Sequence, residues 1–118
     1  MTKKIYYLSS CSTCARILKE WNPGSEIKLQ DIKNEKITVA QLSEMAVLAG
    51  SYESLFSRVA LKYRSMGLNT MKLTEKDFKK HILEEYTFLK RPVLVLGEQI
   101  FIGNSPKTVA AAKVALKK

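Results

Sequence analysis

The residues of this chain best suited to chemistry are its two cysteines, Cys11 and Cys14, which form a C-x-x-C motif. The disulfide framework of a secreted domain normally uses more cysteine pairs over longer loops. A closed zinc site takes four ligands, and the chain adds only one histidine, His81, to the two cysteines. We therefore expect no resident metal. The spacing indicates redox chemistry or a pair of structural thiols.

The two cysteines are predicted to lie at a turn from a strand into a helix. Residues 3–8 are rich in β-branched and aromatic types, which is typical of a buried strand. An apolar stripe at helical spacing follows, formed by Cys14, Ile17, Leu18 and Trp21. The start of a helix presents unpaired N–H groups and the positive end of the helix dipole, and both stabilise a thiolate. The pKa of Cys11 is therefore predicted to be lowered.

This placement suggests different roles for the two thiols. Cys11 is the candidate nucleophile because the thiolate is the reactive form of cysteine. Cys14 lies one turn further into the helix, where it could act as a shielded resolving thiol that attacks a mixed disulfide on Cys11. The alternative is that Cys14 only packs the core, as buried cysteines often do.

A second candidate is the segment Lys90–Val95, where Arg91 and Pro92 precede a short apolar run. Proline cannot donate to a strand ladder, and an X–Pro bond has access to the cis form. Arg91 could present its planar donors towards the cysteine turn. The alternative is an ordinary trans proline at the start of a strand, with an exposed arginine before it.

The remaining pattern predicts the order β-α-β, a helical block, and then β-β-α. A second strand is expected within 26–32, and an antiparallel hairpin in 92–102 with its turn at Gly97–Glu98. The last helix begins after Ser105–Pro106. The helical block contains capping signals at Thr38 and Thr74, and a helical stripe formed by Leu55, Phe56, Val59 and Tyr63. We predict one α/β domain over 1–118, with a mixed four-stranded sheet and a helical insertion at about 38–86.

Composition limits the classes of function. The chain has 118 residues, and 46% of them are hydrophobic, which suits one folded domain. It has no apolar run long enough to cross a membrane and no secretory leader, so a cytoplasmic protein without a membrane partner is expected. The net charge of +9 favours an anionic partner or a solvated basic face. No nucleic-acid-binding motif accompanies the charge, and direct nucleic-acid binding is not expected.

Taken together, these segments resemble one branch of the thioredoxin fold, which contains the ArsC-type arsenate reductases and the Spx-type transcriptional regulators. The resemblance covers nearly the whole chain and depends on three places. They are the cysteine turn Cys11–Cys14, Gly50 followed eight residues later by Arg58, and Lys90–Val93 with Gly103–Asn104 beyond the hairpin.

The resemblance to the reductases implies a thiol oxidoreductase in which Cys11 attacks arsenate or a similar oxyanion. It implies that Arg58 and Arg91 hold the oxyanion and that the cis-proline position falls on Pro92. Helix N-termini and guanidinium groups suit a tetrahedral anion. No bound cofactor is implied, and glutathione with glutaredoxin, or thioredoxin, would supply electrons.

The resemblance to Spx implies an alternative function, a redox-sensing regulator that binds the RNA polymerase α subunit. In Spx the C-x-x-C is a redox switch, and a glycine matching Gly50 contacts the polymerase; Gly50 is also explained as a helix C-cap. Two features are more similar to Spx than to the reductases. Cys14 stands where the reductases have serine, and Phe101–Asn104 lacks their third arginine.

Overall fold

A computed structural model of the protein describes residues 2–117, which form two compact units. The first unit comprises the described residues up to Lys36 and from Arg91 onwards, and the second is Ile37–Lys90. No helix among residues 2–117 is both long enough and apolar enough to cross a membrane. In chain order the elements are β1 (Lys3–Tyr7), α1 (Ser12–Trp21), β2 (Lys28–Asp31), α2 (Val39–Ala49), α3 (Leu61–Ser65), α4 (Glu75–Glu84), β3 (Val93–Leu96), β4 (Gln99–Ile102) and α5 (Pro106–Leu116).

The first unit contains a mixed four-stranded sheet with the strand order β2-β1-β3-β4. β1 pairs with β2 in parallel, as expected for two strands joined through a helix. β3 pairs antiparallel with both β1 and β4, and β4 returns through the tight turn at Gly97. The predicted α/β class, mixed sheet and closing hairpin are therefore confirmed. That residues 1–118 act as one domain with an insertion at about 38–86 stays a prediction.

The core of the first unit lies where α1 and α5 pack on the sheet. Ile5 and Leu94 are paired on neighbouring strands, and both are fully buried in one cluster with Ile17 of α1 and Ala112 of α5. Trp21 ends the apolar stripe of α1, and its Nε1 donates a hydrogen bond of 3.0 Å to the Val109 carbonyl. This bond satisfies the polar end of a large apolar side chain and fixes α1 against α5. The packing therefore holds α1 against the sheet and α5.

The second unit is built from capped helices around an aromatic core. α2 begins at the predicted Thr38 cap and ends at Gly50, whose φ of 94° belongs to the left-handed region that suits glycine. α4 begins at the predicted Thr74 cap. Between these helices, the ring of Phe56 stacks on Phe88, and the two ring centroids are 5.0 Å apart.

The predicted helical stripe of residues 55–63 is wrong. Phe56 instead forms an isolated antiparallel bridge with Leu89, and residues on both sides of Phe56 make backbone hydrogen bonds to the 88–90 segment. These bonds replace the bonds of a helix, so α3 begins only at Leu61. Val59, which was expected to face the core, is 92% exposed.

Removing the cap of α2 should destabilise the second unit measurably. The Thr38 hydroxyl accepts from the Gln41 N–H, and the Gln41 side chain accepts from the Thr38 N–H, both at 3.1 Å. We expect Thr38→Ala to lower the free energy of unfolding by about 1 kcal/mol in urea titrations. Thr38→Ser keeps the hydroxyl and serves as the control. Equal stability of the two variants would contradict a capping role.

Candidate active site at the cysteine turn

The strand register brings the cysteine turn and the Arg91–Pro92 segment to the same end of the sheet. Tyr6 of β1 is paired with Val93, so the turn that follows β1 lies beside the residues that precede β3. Tyr7 is paired with Asp31, so the end of β2 lies there as well. The ends of these strands therefore form the base of the candidate site.

Cys11 is the N-cap residue of α1, at the predicted turn from strand to helix. Its backbone N–H donates to the Leu8 carbonyl at 3.0 Å, and its own carbonyl accepts from the Ala15 N–H at 3.1 Å. These two bonds fix the backbone on both sides of Cys11, and the side chain remains partly exposed. The sulfur is thus held at the start of the helix and is still accessible to a reactant.

Asp31 supports this turn, a role that was not predicted from the sequence. Its carboxylate accepts from the Ser9 N–H at 3.2 Å, and it also accepts from the Lys33 N–H and the Asn34 amide. Bonds to Ser9 lower the pKa of Asp31 against a weaker opposing effect of burial, so the carboxylate is charged at neutral pH. The sequence feature that could have indicated this role is an acidic residue at the end of β2, the strand that runs parallel to β1.

The environment of Cys11 favours the thiolate. Burial alone raises the pKa of Cys11, but interactions with the Cys14 N–H, the Cys14 thiol and the Thr13 N–H, together with the positive charge of Arg91, lower it below its ordinary value. The Thr13 and Cys14 N–H groups belong to the first turn of α1, where no helix carbonyl accepts from them. The direction agrees with the prediction made from the helix N-terminus.

The environment of Cys14 has the opposite effect. The pKa of Cys14 is raised to about 11, chiefly by burial; Cys11 also raises it, whereas the Leu8 N–H and the Arg91 charge oppose the rise. The residue is fully buried and lies on the core side of α1. Both cysteines are free thiols. The pair therefore combines an accessible thiol with a lowered pKa and a shielded thiol with a raised pKa.

Arg91 and Pro92 form the other side of the candidate site. The Arg91–Pro92 peptide bond is cis. The Pro92 carbonyl accepts from the Gly103 N–H at 2.9 Å, which connects this segment to the residue that follows β4. The charge of Arg91 acts on both thiols. The structure thus brings together Cys11, Cys14, Arg91 and Pro92 of the predicted set.

The other two predicted site residues, Arg58 and Gly50, lie in the second unit. Arg58 is in a turn and not in a helix, because of the Phe56–Leu89 bridge. Its guanidinium donates to Glu53 at 2.8 Å and lies 5.4 Å from the ring centre of Phe78. The ion pair is half-exposed, so another anion can compete for Arg58 at little cost. Glu53 was not predicted as a partner of Arg58; the sequence feature that could have indicated it is an acidic residue five positions before the arginine.

His81 is a half-buried residue of α4. It packs its ring edge against Phe88, with 5.8 Å between ring centres, and its Nδ1 is buried without a hydrogen-bond partner among residues 2–117. The described part of the chain contains no group of three His, Cys, Asp or Glu residues that could hold a metal ion.

One known sequence family matches most of this chain. Residues 6–112 match the sequence model of the ArsC family, and this span includes the cysteine turn, Arg58 and the Arg91–Pro92 segment. The chain belongs to the ArsC family. No curated protein is a significant sequence match to the chain.

Solved structures of ArsC-type proteins share the fold. An arsenate reductase from Vibrio cholerae superposes with a TM-score of 0.74 at 16% identity, covering 94% of this chain and 98% of that one. An arsenate reductase (ArsC) related protein from Brucella melitensis gives a TM-score of 0.69 at 23% identity, with coverages of 94% and 93%. The fold of this ArsC-family chain is therefore thioredoxin-like.

Family membership and the thiol pair together support a thiol oxidoreductase-like function for this ArsC protein. The site can hold a thiolate at the helix N-terminus, attract an anion to it and bring a second thiol to the same sulfur. These roles predict that the two cysteines differ in reactivity. That difference can be measured without a known substrate.

The two thiols should therefore differ in their reaction with iodoacetamide. Alkylation follows the thiolate fraction, so Cys11 should react fastest and with a pH midpoint below that of an ordinary thiol. Cys14 should react slowly until the pH approaches 11. Mass spectrometry of digested protein measures both rates, and urea-unfolded protein, in which the two rates should become similar, is the control. Equal rates in the folded protein would contradict the assigned environments.

Proposed function

We propose that this protein is an arsenate reductase-type thiol oxidoreductase in which the Cys11 thiolate attacks an oxyanion. One observation carries the proposal. Cys11 occupies the N-cap position of α1 with a lowered pKa, and helix N–H groups and the Arg91 charge favour its thiolate. The same donors that stabilise a thiolate also suit the negative oxygens of a tetrahedral anion.

Arg91 is proposed to orient the oxyanion at Cys11. A guanidinium offers two parallel donors, which match two oxygens of arsenate better than a point charge does. Arg58 is proposed as a further ligand on the basis of the family resemblance. Its half-exposed ion pair with Glu53 leaves it available to an anion. Pro92 fixes the backbone next to Arg91 through its bond with Gly103.

The proposed reaction uses two thiols and transfers two electrons to arsenic. The Cys11 sulfur bonds to arsenic, and one oxygen leaves as water. The Cys14 sulfur then attacks the Cys11 sulfur, so that an S–S bond forms and the S–As bond breaks. The electron pair of that bond stays on arsenic, which leaves as arsenite, and the thiol proton passes to an oxygen. Glutathione with glutaredoxin, or thioredoxin, then reduces the disulfide.

The test is arsenate-dependent oxidation of NADPH by the purified protein. One assay supplies glutathione, glutaredoxin and glutathione reductase, and the other supplies thioredoxin and its reductase. Phosphate replaces arsenate in the control, because it has the same shape and is not reduced by thiols. Turnover in either assay supports the proposal and identifies the reductant. Absence of turnover in both would contradict it.

The alternative function is a redox-sensing regulator that binds the RNA polymerase α subunit. The paired thiols could form a switch, and Gly50 is exposed with open space at its Cβ position. The test is capture of the α subunit by reduced and oxidised protein. Gly50→Arg should abolish capture, and Gly67→Arg is the matched control because Gly67 also has a positive φ and open space. No capture in either redox state would exclude this function.

A further inference from the structure

We propose that Glu53 is an internal carboxylate that competes with the oxyanion for the guanidinium of Arg58. In the free protein the carboxylate occupies a donor that the anion must use, and binding of the anion displaces it. The inference depends on the proposed function in one respect, which is the assignment of Arg58 as an anion ligand. It concerns the second unit, in which both residues lie.

The contact between the two side chains has the chemistry of an oxyanion complex. Nη2 of Arg58 donates to Oε2 of Glu53 at 2.8 Å, which is the length of a charge-assisted hydrogen bond. A carboxylate and a tetrahedral oxyanion offer a guanidinium the same kind of partner, a negatively charged oxygen. The anion and the Glu53 carboxylate therefore compete for the same N–H groups.

Backbone contacts fix both ends of this ion pair without the help of its charges. The Glu53 N–H donates to the Glu75 carboxylate of α4 at 3.0 Å. Next to Arg58, the Ser57 N–H donates to the Phe88 carbonyl at 2.7 Å. Neither bond uses the side chain of the ion pair. The Glu53 carboxylate can therefore leave the arginine while both segments stay folded.

Two aromatic rings hold the guanidinium when the carboxylate leaves. The central carbon of the Arg58 guanidinium lies 5.4 Å from the ring centre of Phe78 and 6.0 Å from that of Phe56. Attraction between a cation and a ring face acts on the charge and does not consume the N–H donors. Arg58 therefore keeps its place and can offer the released donors to an anion.

The exposure of the pair limits the strength of the competition. The side chains of Arg58 and Glu53 are 46% and 55% exposed, and ion pairs of this kind are weak. The apparent affinity for an anion is reduced by the fraction of molecules in which the arginine is available. Loss of the Glu53 charge should therefore strengthen anion binding about two- to sixfold.

The test is a nuclear magnetic resonance titration of the reduced, isotope-labelled protein with sodium sulfate at constant ionic strength. Sulfate is a tetrahedral dianion that thiols do not reduce. Glu53→Gln should bind it about two- to sixfold more tightly than the wild type. Glu85→Gln is the matched control because it removes the same charge from the Lys62–Glu85 ion pair of the same unit. Any general effect of losing one negative charge appears in this control as well.

The gain in affinity must also require Arg58. Arg58→Ala should bind sulfate more weakly than the wild type, and addition of Glu53→Gln to this variant should restore nothing. Urea titrations check that each variant is folded. Equal affinities of Glu53→Gln and Glu85→Gln, or a gain that persists without Arg58, would overturn the inference. Binding too weak to detect in both the wild type and Glu53→Gln would overturn it as well.

Turnover keeps this inference separate from the proposed function. In arsenate reduction, Glu53→Gln should lower KM by the same factor and leave kcat unchanged, because the carboxylate affects binding of the anion and not the sulfur chemistry. Tighter sulfate binding in a protein without arsenate turnover would support the competition and contradict the reductase. Turnover with unchanged KM and sulfate affinity in Glu53→Gln would support the reductase and overturn the competition.

Discussion

Cys11→Ser is expected to lose arsenate turnover by on the order of 10⁴-fold or more. A serine hydroxyl remains protonated at neutral pH, so the helix N–H groups and Arg91 no longer have a thiolate to stabilise. The variant also cannot form the S–As bond or the disulfide that carries two electrons away. The measurement is the initial rate of arsenate-dependent NADPH oxidation with saturating redoxin.

This variant has a built-in structural control. Serine is a better helix N-cap than most residues, and Cys11 occupies the N-cap position of α1. The stability of Cys11→Ser should therefore equal or exceed that of the wild type in urea titrations. A large loss of activity in a stable protein would locate the chemistry at this sulfur. Retention of a tenth or more of the wild-type rate would show that another group is the nucleophile.

Cys14→Ser separates the two thiol roles. The Cys11 thiolate survives in this variant, so the first S–As bond can still form. Turnover should then depend on an external thiol in place of Cys14, and it should rise with glutathione concentration. Wild-type protein should show a weaker dependence because its second thiol is internal. An identical glutathione dependence in the two proteins would contradict a resolving role for Cys14.

The parts of the fold that follow local rules could be predicted from the sequence. The stripe from Cys14 to Trp21, the capping residues Thr38 and Thr74, and the closing hairpin all depend on residues close together in the chain. The lowered pKa of Cys11 also follows from a local feature, the start of α1. The spacing of residues along the chain is enough to predict a helix or turn whose hydrogen bonds join residues close together in the sequence.

The parts that depend on distant residues could not be predicted. Phe56 leaves the expected helix because its backbone bridges to Leu89, far along the chain. Asp31 supports the cysteine turn through a bond to Ser9, 22 residues earlier. His81 faces Phe88 because the aromatic rings of the second unit gather there. Each of these contacts is set by packing, which a pattern of residue types does not specify.

Loss of Arg91 should lower arsenate turnover through two separable effects. Arg91→Ala is expected to reduce kcat/KM by about 10²–10³-fold, as for removal of one donor to a developing oxyanion. Part of this loss arises because the Arg91 charge lowers the pKa of Cys11. Without that charge the pKa of Cys11 rises. A smaller fraction of Cys11 is then thiolate at neutral pH.

Alkylation and turnover together distinguish the two effects. Iodoacetamide is uncharged, so its rate reports only the thiolate fraction, and its pH midpoint should shift upwards in Arg91→Ala. Arg91→Lys keeps the charge and loses the planar fork, so the midpoint should stay near that of the wild type while arsenate turnover still falls. Lys90→Ala removes a neighbouring exposed cation and should change neither rate. If Arg91→Ala slowed turnover only as much as alkylation, Arg91 would act on the thiolate alone and the oxyanion would bind elsewhere.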